Sequence, residues 1–299
     1  MRIGVLTTSF PRHDEDIAGA FVLGFARALV ARGHEIDVLA PEPRERSNVR
    51  AWPGVRVERL AYLKPRALER TFYGAGVPDN LARDPLAWLG LAPFSARLAQ
   101  TARRRARQWD AVISHWALPC ALAAGFARGE RPHIAVLHSA DIHLLSRLPL
   151  RAALARRIAS SADVLWFVSR EQRTRFLQLL PASTPTPNTI VCPMGIDLIE
   201  PPSLERAPFE MPRLERGSNA DRTLCALALG RLIPLKGIDL AIRACASLGV
   251  RLLIAGEGPE RPRLERLAAQ LHADVRFLGT VVDRAKRELF DAADVFVLP

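Results

Sequence analysis

Long apolar runs are missing from this chain of 299 residues. The longest nearly uninterrupted one, from Ala117 to Ala127, is about half the ~20 residues that a membrane-spanning helix needs. The N-terminus reads MRIGVLTTSF and then meets Arg12, His13, Asp14, Glu15 and Asp16, without the apolar core or small-residue cleavage site of a signal peptide. Cysteine is scarce and scattered: Cys120, Cys192, Cys225 and Cys245 show no C-x-x-C spacing, so neither a zinc site nor a disulfide framework is supported. Aromatic residues make up 6% and are not interleaved with the basic clusters, which argues against a nucleic-acid stacking surface. Lysine is nearly absent, since 39 of the 42 basic side chains are arginine. What remains is 49% hydrophobic and 24% charged, the composition of a globular protein of about two domains, expected in the cytoplasm.

The net charge of +11 is unevenly placed. Residues 1–190 carry 27 basic against 16 acidic side chains, whereas residues 191–299 carry 15 of each. Arginine richness by itself says little about a partner. Its confinement to one segment points to an anionic surface or polyanion on that side.

Short apolar runs alternate with helical patterns from the start. Arg2–Thr8 predicts a strand, then Ile17, Phe21, Phe25, Ala28 and Leu29 recur at helical spacing, and Glu35–Ala40 is the next strand. Beyond a Pro- and Arg-rich stretch the series resumes with helices over 95–108, 118–128, 151–161 and 171–180 and strands over 111–115, 133–138, 164–168 and 189–192. Such a βαβ series implies a mostly parallel sheet with helices on both faces. Residues 200–222 break the rhythm with Pro, Ser, Gly and charge. It restarts with strands over 224–229, 251–255, 275–278 and 295–298, separated by helices over 237–248, 260–271 and 284–292. The expected division is a domain over 1–195, a linker over 196–222 and a second domain over 223–299. The last strand, VFVLP, is apolar enough to be buried on both faces. No helix follows it, so the expectation is a second domain short of two or three strand–helix units, roughly 60–90 residues.

Three segments carry chemistry. In LGRLIPLKGIDLAIRA a strand ends at Gly230, Arg231 follows, and Lys236-Gly237 opens a helix; two cations at a strand edge and a helix N-terminus suit a phosphate, although both also read as ordinary surface charges. In IAGEGPE, Gly256 and Gly258 permit close approach of a ligand to the backbone and Glu257 is placed to accept hydrogen bonds from a ribose or base, though a Gly-x-Gly of this kind is also a common tight turn. VRFLGTVVDRAKRELFDAADVFVLP adds a strand, Gly279 and an amphipathic helix.

In this order and spacing the three blocks resemble the donor-binding domain of glycosyltransferase family 4, the retaining group with the GT-B fold. The N-terminal part is similar to the same family through SFPRHDEDIAGAFVLGFARALVARGHEIDVLAP, ISHWALP, LHSADI, WFVSREQ and CPMGID. The resemblance covers essentially the whole chain. It implies an α/β architecture of two Rossmann-like domains facing across a cleft, the second one incomplete. It implies a retaining, metal-independent transfer of a hexose from a nucleotide diphosphate sugar, of the UDP or GDP type, to a polysaccharide or lipid-linked acceptor. The nucleotide sugar is a co-substrate, and no cofactor is implied. Carried over by position, Arg231 and Lys236 would hold the diphosphate and stabilise its developing charge, with Gly19 and Gly230 beside it. Gly256, Glu257 and Gly258 would neighbour the nucleoside, His115 would approach the donor sugar, and His138 and Asp141 would lie on the acceptor side. Ser139 stands where the family usually has Gly. The family's second Glu-rich element, which binds the donor sugar and ribose, would begin where this sequence stops.

Other readings stay open. His115 also fits a packed residue at a strand end, Trp116 a core residue, and Asp141 a simple turn cap. Asp14-Glu15-Asp16 is formally an Asp-x-Asp, but it reads as a solvated acidic loop and implies no metal. Arg97, Arg103, Arg104, Arg105 and Arg107 share a helix pattern with Leu98 and Trp109, while Arg147, Arg151, Arg156 and Arg157 accompany Leu148, Leu150, Leu154 and Ile158. Both patterns fit either peripheral attachment to an anionic inner membrane face or a solvated surface. A chain that keeps only acceptor or membrane binding, without turnover, is the alternative function. A polyanion or nucleic-acid binder ranks below both.

Overall fold

The computed structural model describes residues 1–13, 16–43, 52–74, 76–195, 224–281 and 283–299. The chain divides into two compact units, Met1–Ile199 and Glu200–Pro299. The linker expected over 196–222 lies outside the described residues.

The first unit contains, in order, β1 (Arg2–Leu6), α1 (Ala20–Val30), β2 (Glu35–Pro41), β3 (Val55–Leu60), α2 (Val77–Arg83), α3 (Leu91–Arg105), β4 (Ala111–His115), α4 (Leu122–Ala127), β5 (His133–Leu137), α5 (Ser139–Arg147), α6 (Arg151–Ser161), β6 (Val164–Phe167), α7 (Arg170–Leu177) and β7 (Thr189–Val191). Its strands form one seven-stranded sheet ordered β3-β2-β1-β4-β5-β6-β7, every described pairing parallel. Side chains alternate across the sheet, so two cores form. Leu6, Leu39 and Val112 pack with Leu98 and Ala102 of α3 and Ala123 of α4 on one face. Ile3, Val5 and Val38 pack with Val22, Leu23 and Ala26 of α1 on the other. Further along, Leu137, Leu165 and Phe167 meet Ile142, Ile158 and Phe176 of the later helices.

The second unit contains β8 (Cys225–Leu229), α8 (Ile238–Leu248), β9 (Arg251–Ala255), α9 (Arg261–Gln270), β10 (Val275–Gly279), α10 (Asp283–Ala292) and β11 (Val295–Phe296), with its four parallel strands ordered β10-β9-β8-β11. Ala226, Ala228, Leu252 and Ile254 pack on Ile242 of α8 and Leu264 of α9, while Leu227 and Leu253 on the opposite face pack on Leu289 of α10.

Two expectations are corrected here. The stretch after β2 contains β3, hidden in the sequence because Arg56, Glu58 and Arg59 interrupt its apolar pattern at a sheet edge. Residues 139–147 form a helix where the sequence pattern assigns no element. β11 lies at an edge of its sheet, with Val295, Phe296 and Leu298 exposed. The apolar partners of the arginine-rich helices are largely spent inside the protein, because Leu98, Trp109 and Ile158 are core residues. No helix among the described residues is long and apolar enough to cross a membrane.

Candidate functional site

Strand order reverses between β1 and β4 in the first unit and between β8 and β11 in the second. Successive connections at such a point leave towards opposite faces of the sheet, so a crevice opens beyond the carboxyl ends of the two strands. The residues singled out by sequence fall at both points. Gly19 lies on the segment after β1, His115 ends β4, and Gly230 and Arg231 follow β8 directly.

His115 is fully buried, and its Nδ1 lies 3.3 Å from Nε2 of His138, the two rings stacked 5.5 Å apart at 19°. The two residues are 23 positions apart, brought together because β4 and β5 are parallel neighbours, His115 standing opposite Val136 and His138 two residues beyond it. One proton must lie between the facing nitrogens. The remaining His115 Nε2 is buried with no hydrogen-bond partner. Leaving a buried polar atom unsatisfied costs about 1–3 kcal/mol, a cost that native structures concentrate at functional positions.

Aromatic rings close over this pair. Phe25 and Phe21 of α1 stand 5.5 and 6.3 Å from the His115 ring, and Phe21 and Trp116 stand each 5.1 Å from that of His138. Trp116 is held at φ 73°, a left-handed conformation that a bulky residue adopts only when its surroundings enforce it. His138 is half-buried and Phe21 37% exposed, so these two, not His115, present the cluster to solvent. His115 therefore sits behind them.

Asp141 is a buried side chain. It is 5% exposed, and its Oδ2 accepts the backbone N–H of Ala117 at 2.6 Å and of His138 at 3.3 Å, while Oδ1 accepts that of Ile142 at 2.9 Å. It thus ties the start of α5 to the segment after His115 and positions both histidines. Burial pushes its carboxyl up to about 7 against these donors.

Gly19 is likewise buried, at φ 72°, and a Cβ there would stand 2.3 Å from the Ser9 carbonyl oxygen. A side chain is excluded by the loop's own backbone, which is what brings the N-terminus of α1 against the segment after β1. The acidic loop expected over Asp14–Asp16 is corrected where it is described: Asp16 is buried and bonded to the Arg12 guanidinium, at 3.0 Å between Arg12 Nη2 and Oδ1. Asp14 and Glu15 lie outside the described residues.

In the second unit Arg231 is exposed and Lys236 half-buried. Lys236 closes a short 3₁₀ turn over Pro234–Lys236, and Gly237 at φ 59° turns the chain into α8. The neighbouring loop is bonded onto this one through Gly230 N–H to the Ala255 carbonyl at 2.9 Å and Leu232 N–H to the Glu257 carbonyl at 2.9 Å. The glycines there serve the protein's own backbone first. A Cβ on Gly256 would lie 1.9 Å from the Gly230 oxygen, and one on Gly258 would lie 2.4 Å from the Leu232 oxygen. Glu257 is exposed and ion-paired with Arg261, which also binds Glu265 at 2.8 Å.

One buried polar cluster has no local signal in the sequence. His133 Nδ1 lies 3.1 Å from the Ser161 carbonyl and Nε2 lies 2.8 Å from the Ser114 hydroxyl. Since a carbonyl only accepts, Nδ1 carries the proton and Nε2 accepts from Ser114. This histidine fastens β4, β5 and α6 together. Among the described residues no group of three or more His, Cys, Asp or Glu is placed to hold a metal ion.

Burial holds all three histidines below the usual value, His115 well below it with a further contribution from His138, and His133 and His138 down to about 4. Because the unfolded chain takes up these protons first, near 6.5, their contribution to stability is complete above that pH and is lost as pH falls towards 4. Asp141 runs the other way, favouring the folded state at low pH and losing that contribution as pH rises from about 4 to about 7. Between pH 7 and pH 5 His133 and His138 each lose about 2 kcal/mol, His115 adds to that loss and Asp141 returns about 2 kcal/mol, so urea unfolding of the first unit is expected to show a net loss of more than about 2 kcal/mol. His133→Gln should remove about 2 kcal/mol of that pH dependence. A difference between the two proteins that stays constant with pH refutes the assignment.

Two family profiles match the chain: "Glycosyl transferase 4-like domain" over residues 18–193 and "Glycosyl transferases group 1" over residues 224–299. A GDP-mannose-dependent alpha-(1-6)-phosphatidylinositol monomannoside mannosyltransferase of Mycolicibacterium smegmatis is 34% identical over 99% of this chain and 72% of its own length. A protein of the same description from Mycobacterium tuberculosis is 33% identical over 61% of this chain, a match that spans 48% of that protein. A D-inositol 3-phosphate glycosyltransferase of Acidothermus cellulolyticus is 29% identical over 93% of the chain and 64% of its own length. Among solved structures, HepE of Anabaena in complex with UDP and glucose superposes with a TM-score of 0.63 at 20% identity, covering 100% of this chain and 74% of that one. A UDP-forming alpha,alpha-trehalose-phosphate synthase of Burkholderia vietnamiensis gives 0.67 at 16% identity, covering 99% and 76%. At such identities these structures establish the fold, GT-B.

Proposed function

Since the chain belongs to the glycosyl transferase 4-like family and has the GT-B fold, we propose that it moves a hexose from a nucleotide diphosphate sugar to a lipid-linked acceptor, with retention and without a metal. GDP-mannose is the proposed donor and a phosphoinositide-type glycolipid the proposed acceptor class, following the printed activities of the relatives that match the chain. The observation that carries the reading is the placement of Arg231 and Lys236 on one short segment at the carboxyl end of β8, beside the reversal of strand order and before an uncapped helix N-terminus.

In this reading the diphosphate lies over Gly230 and the start of α8, where backbone N–H groups and the helix dipole favour negative charge. As the bond between the sugar's anomeric carbon and the diphosphate breaks, its electron pair moves to the phosphate oxygen. Arg231 and Lys236 stabilise the charge that develops there, an electrostatic contribution requiring no metal. Glu257 accepts from the ribose; exchanging its surface ion pair with Arg261 costs at most about 1 kcal/mol. His138, held from behind by His115, contributes a neutral hydrogen bond to a sugar hydroxyl. Imidazoles titrating this low are uncharged at neutral pH and are not general acids.

Thermal unfolding of the chain with GDP, UDP and ADP tests the donor site. A ligand at 100 times its Kd stabilises by about 2.7 kcal/mol, so GDP is expected to raise the Tm clearly. Arg231→Ala and Lys236→Ala each remove a charge-assisted interaction of about 1.5–3 kcal/mol and should weaken binding at least tenfold. Equal nucleotide affinity in the parent and both variants would refute the site.

A further inference from the structure

The segment from Thr7 to Gly19 joins β1 to α1, and its described residues are neither helix nor strand. It ends at Gly19, which the family resemblance puts beside the diphosphate, and leads into α1, whose Phe21 and Phe25 stand against the histidine pair. What fixes its path comes from the sheet edge. On β3, Val55 and Val57 face the core beneath α1, and Arg59 continues that face near the strand's carboxyl end. Arg59 Nη1 donates to the Phe10 carbonyl at 3.2 Å and to the Tyr73 hydroxyl at 2.8 Å, and Nη2 donates to the Pro11 carbonyl. The guanidinium also lies 5.7 Å over the Phe10 ring. One side chain thus holds two successive carbonyls that lie 49 and 48 positions earlier in the chain.

Arg59 is half-buried, its Nε is sealed without a hydrogen-bond partner, and the groups it binds are two carbonyls and a phenol. Burial lowers its pKa, with Tyr73 and Asp16 acting against that. A cation withdrawn from water onto neutral partners is a costly way to fill space. What it supplies that an apolar side chain does not is a planar fork that fixes where its acceptors stand. The contacts continue towards Gly19. Tyr73, held at φ 70°, donates its hydroxyl to the Pro41 carbonyl at 2.7 Å, while Asn80 Nδ2 donates to its main-chain carbonyl at 2.8 Å. Burial raises the phenol to about 12, so it keeps this proton. Arg12 lies with its guanidinium 5.0 Å over the Tyr73 ring and binds Asp16, whose Oδ1 accepts the Ala18 N–H at 3.0 Å, one residue before Gly19.

We propose that Arg59 is a positioning residue for the transfer step: with Tyr73, Arg12 and Asp16 it holds the described residues between Phe10 and Gly19 on a single path, and so sets where Gly19 and the start of α1 stand towards the reacting groups. The inference rests on the function proposed above. Gly19 brings no charge, and Arg231 and Lys236, the residues proposed to hold the diphosphate, belong to the other unit. Loosening the clamp therefore acts on orientation in the transition state, where a misplacement of about 1 Å costs on the order of 10²-fold in rate. Donor binding stays in place.

The test compares the parent chain with three variants. Arg59→Lys keeps the charge and loses the fork, and Tyr73→Phe loses the hydroxyl between Arg59 and Pro41. Arg56→Lys is the control, on the same strand with its guanidinium beside Asp37. In transfer from GDP-mannose into a lipid extract, kcat is expected to fall about 10²-fold in Arg59→Lys and about tenfold in Tyr73→Phe, with KM for GDP-mannose within about twofold of the parent. Arg56→Lys should match the parent. Arg59→Gly, which vacates the space of the guanidinium, should regain about tenfold in rate with millimolar methylguanidinium and nothing with ethylamine. Hydrogen exchange reads the clamp without turnover: the amides of Ala18, Val22 and Leu23 should exchange about tenfold faster in Arg59→Lys, and those of β2 and β4 as in the parent. A kcat at the parent level, a loss carried by KM, or rescue matched by ethylamine overturns the role in transfer. Unchanged exchange, or a rise spread over the whole unit, overturns the clamp. The GDP-induced rise in Tm is measured on the same samples. Where it is present in parent and variants, failure of the clamp removes only this inference; its absence from the parent removes the donor reading and with it the role in transfer, while locally faster exchange still shows the clamp.

Discussion

Gly256→Ala should unfold the second unit or destabilise it by about 4 kcal/mol or more, at the upper end of what a single substitution does. The residue sits at φ +139°, a region that costs a side chain about 1–3 kcal/mol, and the added Cβ would meet the Gly230 carbonyl oxygen at 1.9 Å. Neither side can give way cheaply, because the contact is backbone against backbone and the two loops are joined by hydrogen bonds on both sides of it. Gly249→Ala provides the comparison: φ is +62° and no heavy atom lies within 4 Å, so only the backbone preference is lost, about 1 kcal/mol. Urea unfolding followed by circular dichroism reads both. Equal losses in the two variants would show that strain in φ, and not the close approach of the loops, is what the glycine serves. Because Arg231 is the residue after Gly230, a partly folded Gly256→Ala protein should also lose its response to GDP.

Removing the imidazole at position 115 should have the largest effect on turnover. His115→Phe keeps the packing against Phe25 and Trp116 but supplies no nitrogen to hold His138. Transfer from GDP-mannose into a lipid extract is expected to fall roughly 10²–10³-fold, the usual cost of one preorganised hydrogen-bonding group in a dry site. The GDP-induced rise in Tm should remain, since Arg231 and Lys236, the residues proposed to hold the diphosphate, lie on the other unit. His138→Gln, which can still hydrogen-bond His115, should lose less. Should His115→Phe turn over normally, the buried pair is structural, and Nε2 is simply an atom sealed without a partner. The pH profile separates the roles further: neutral hydrogen-bonding histidines add no limb of their own near the ordinary histidine value, and a change of rate around pH 7 reports the ionisation of Asp141.

What the sequence determined by itself is whatever repeats along the chain. The alternation of apolar runs with helical spacing is a local property, so strands such as Val112–Ile113 and Ile254–Ala255 and helices such as α8 are readable from a dozen residues at a time. Order and spacing of the Gly230–Gly237 and Gly256–Gly258 segments were equally legible, and with them the family. Elements whose stability comes from neighbours were not. β3 is polar in its middle and exists because β2 offers it a ladder, and α5 exists where Asp141 gathers backbone donors from Ala117 and His138. The site followed the same rule. That His115 meets His138, that His133 bridges Ser114 and Ser161, and that Gly256 is forced by Gly230 all depend on which strands lie side by side and where they end. Those relations join residues 19 to 28 positions apart. Only the parallel register of the sheet converts such separations in sequence into contacts of about 3 Å, and only burial in that packing decides which polar atoms keep partners and which are left for a ligand.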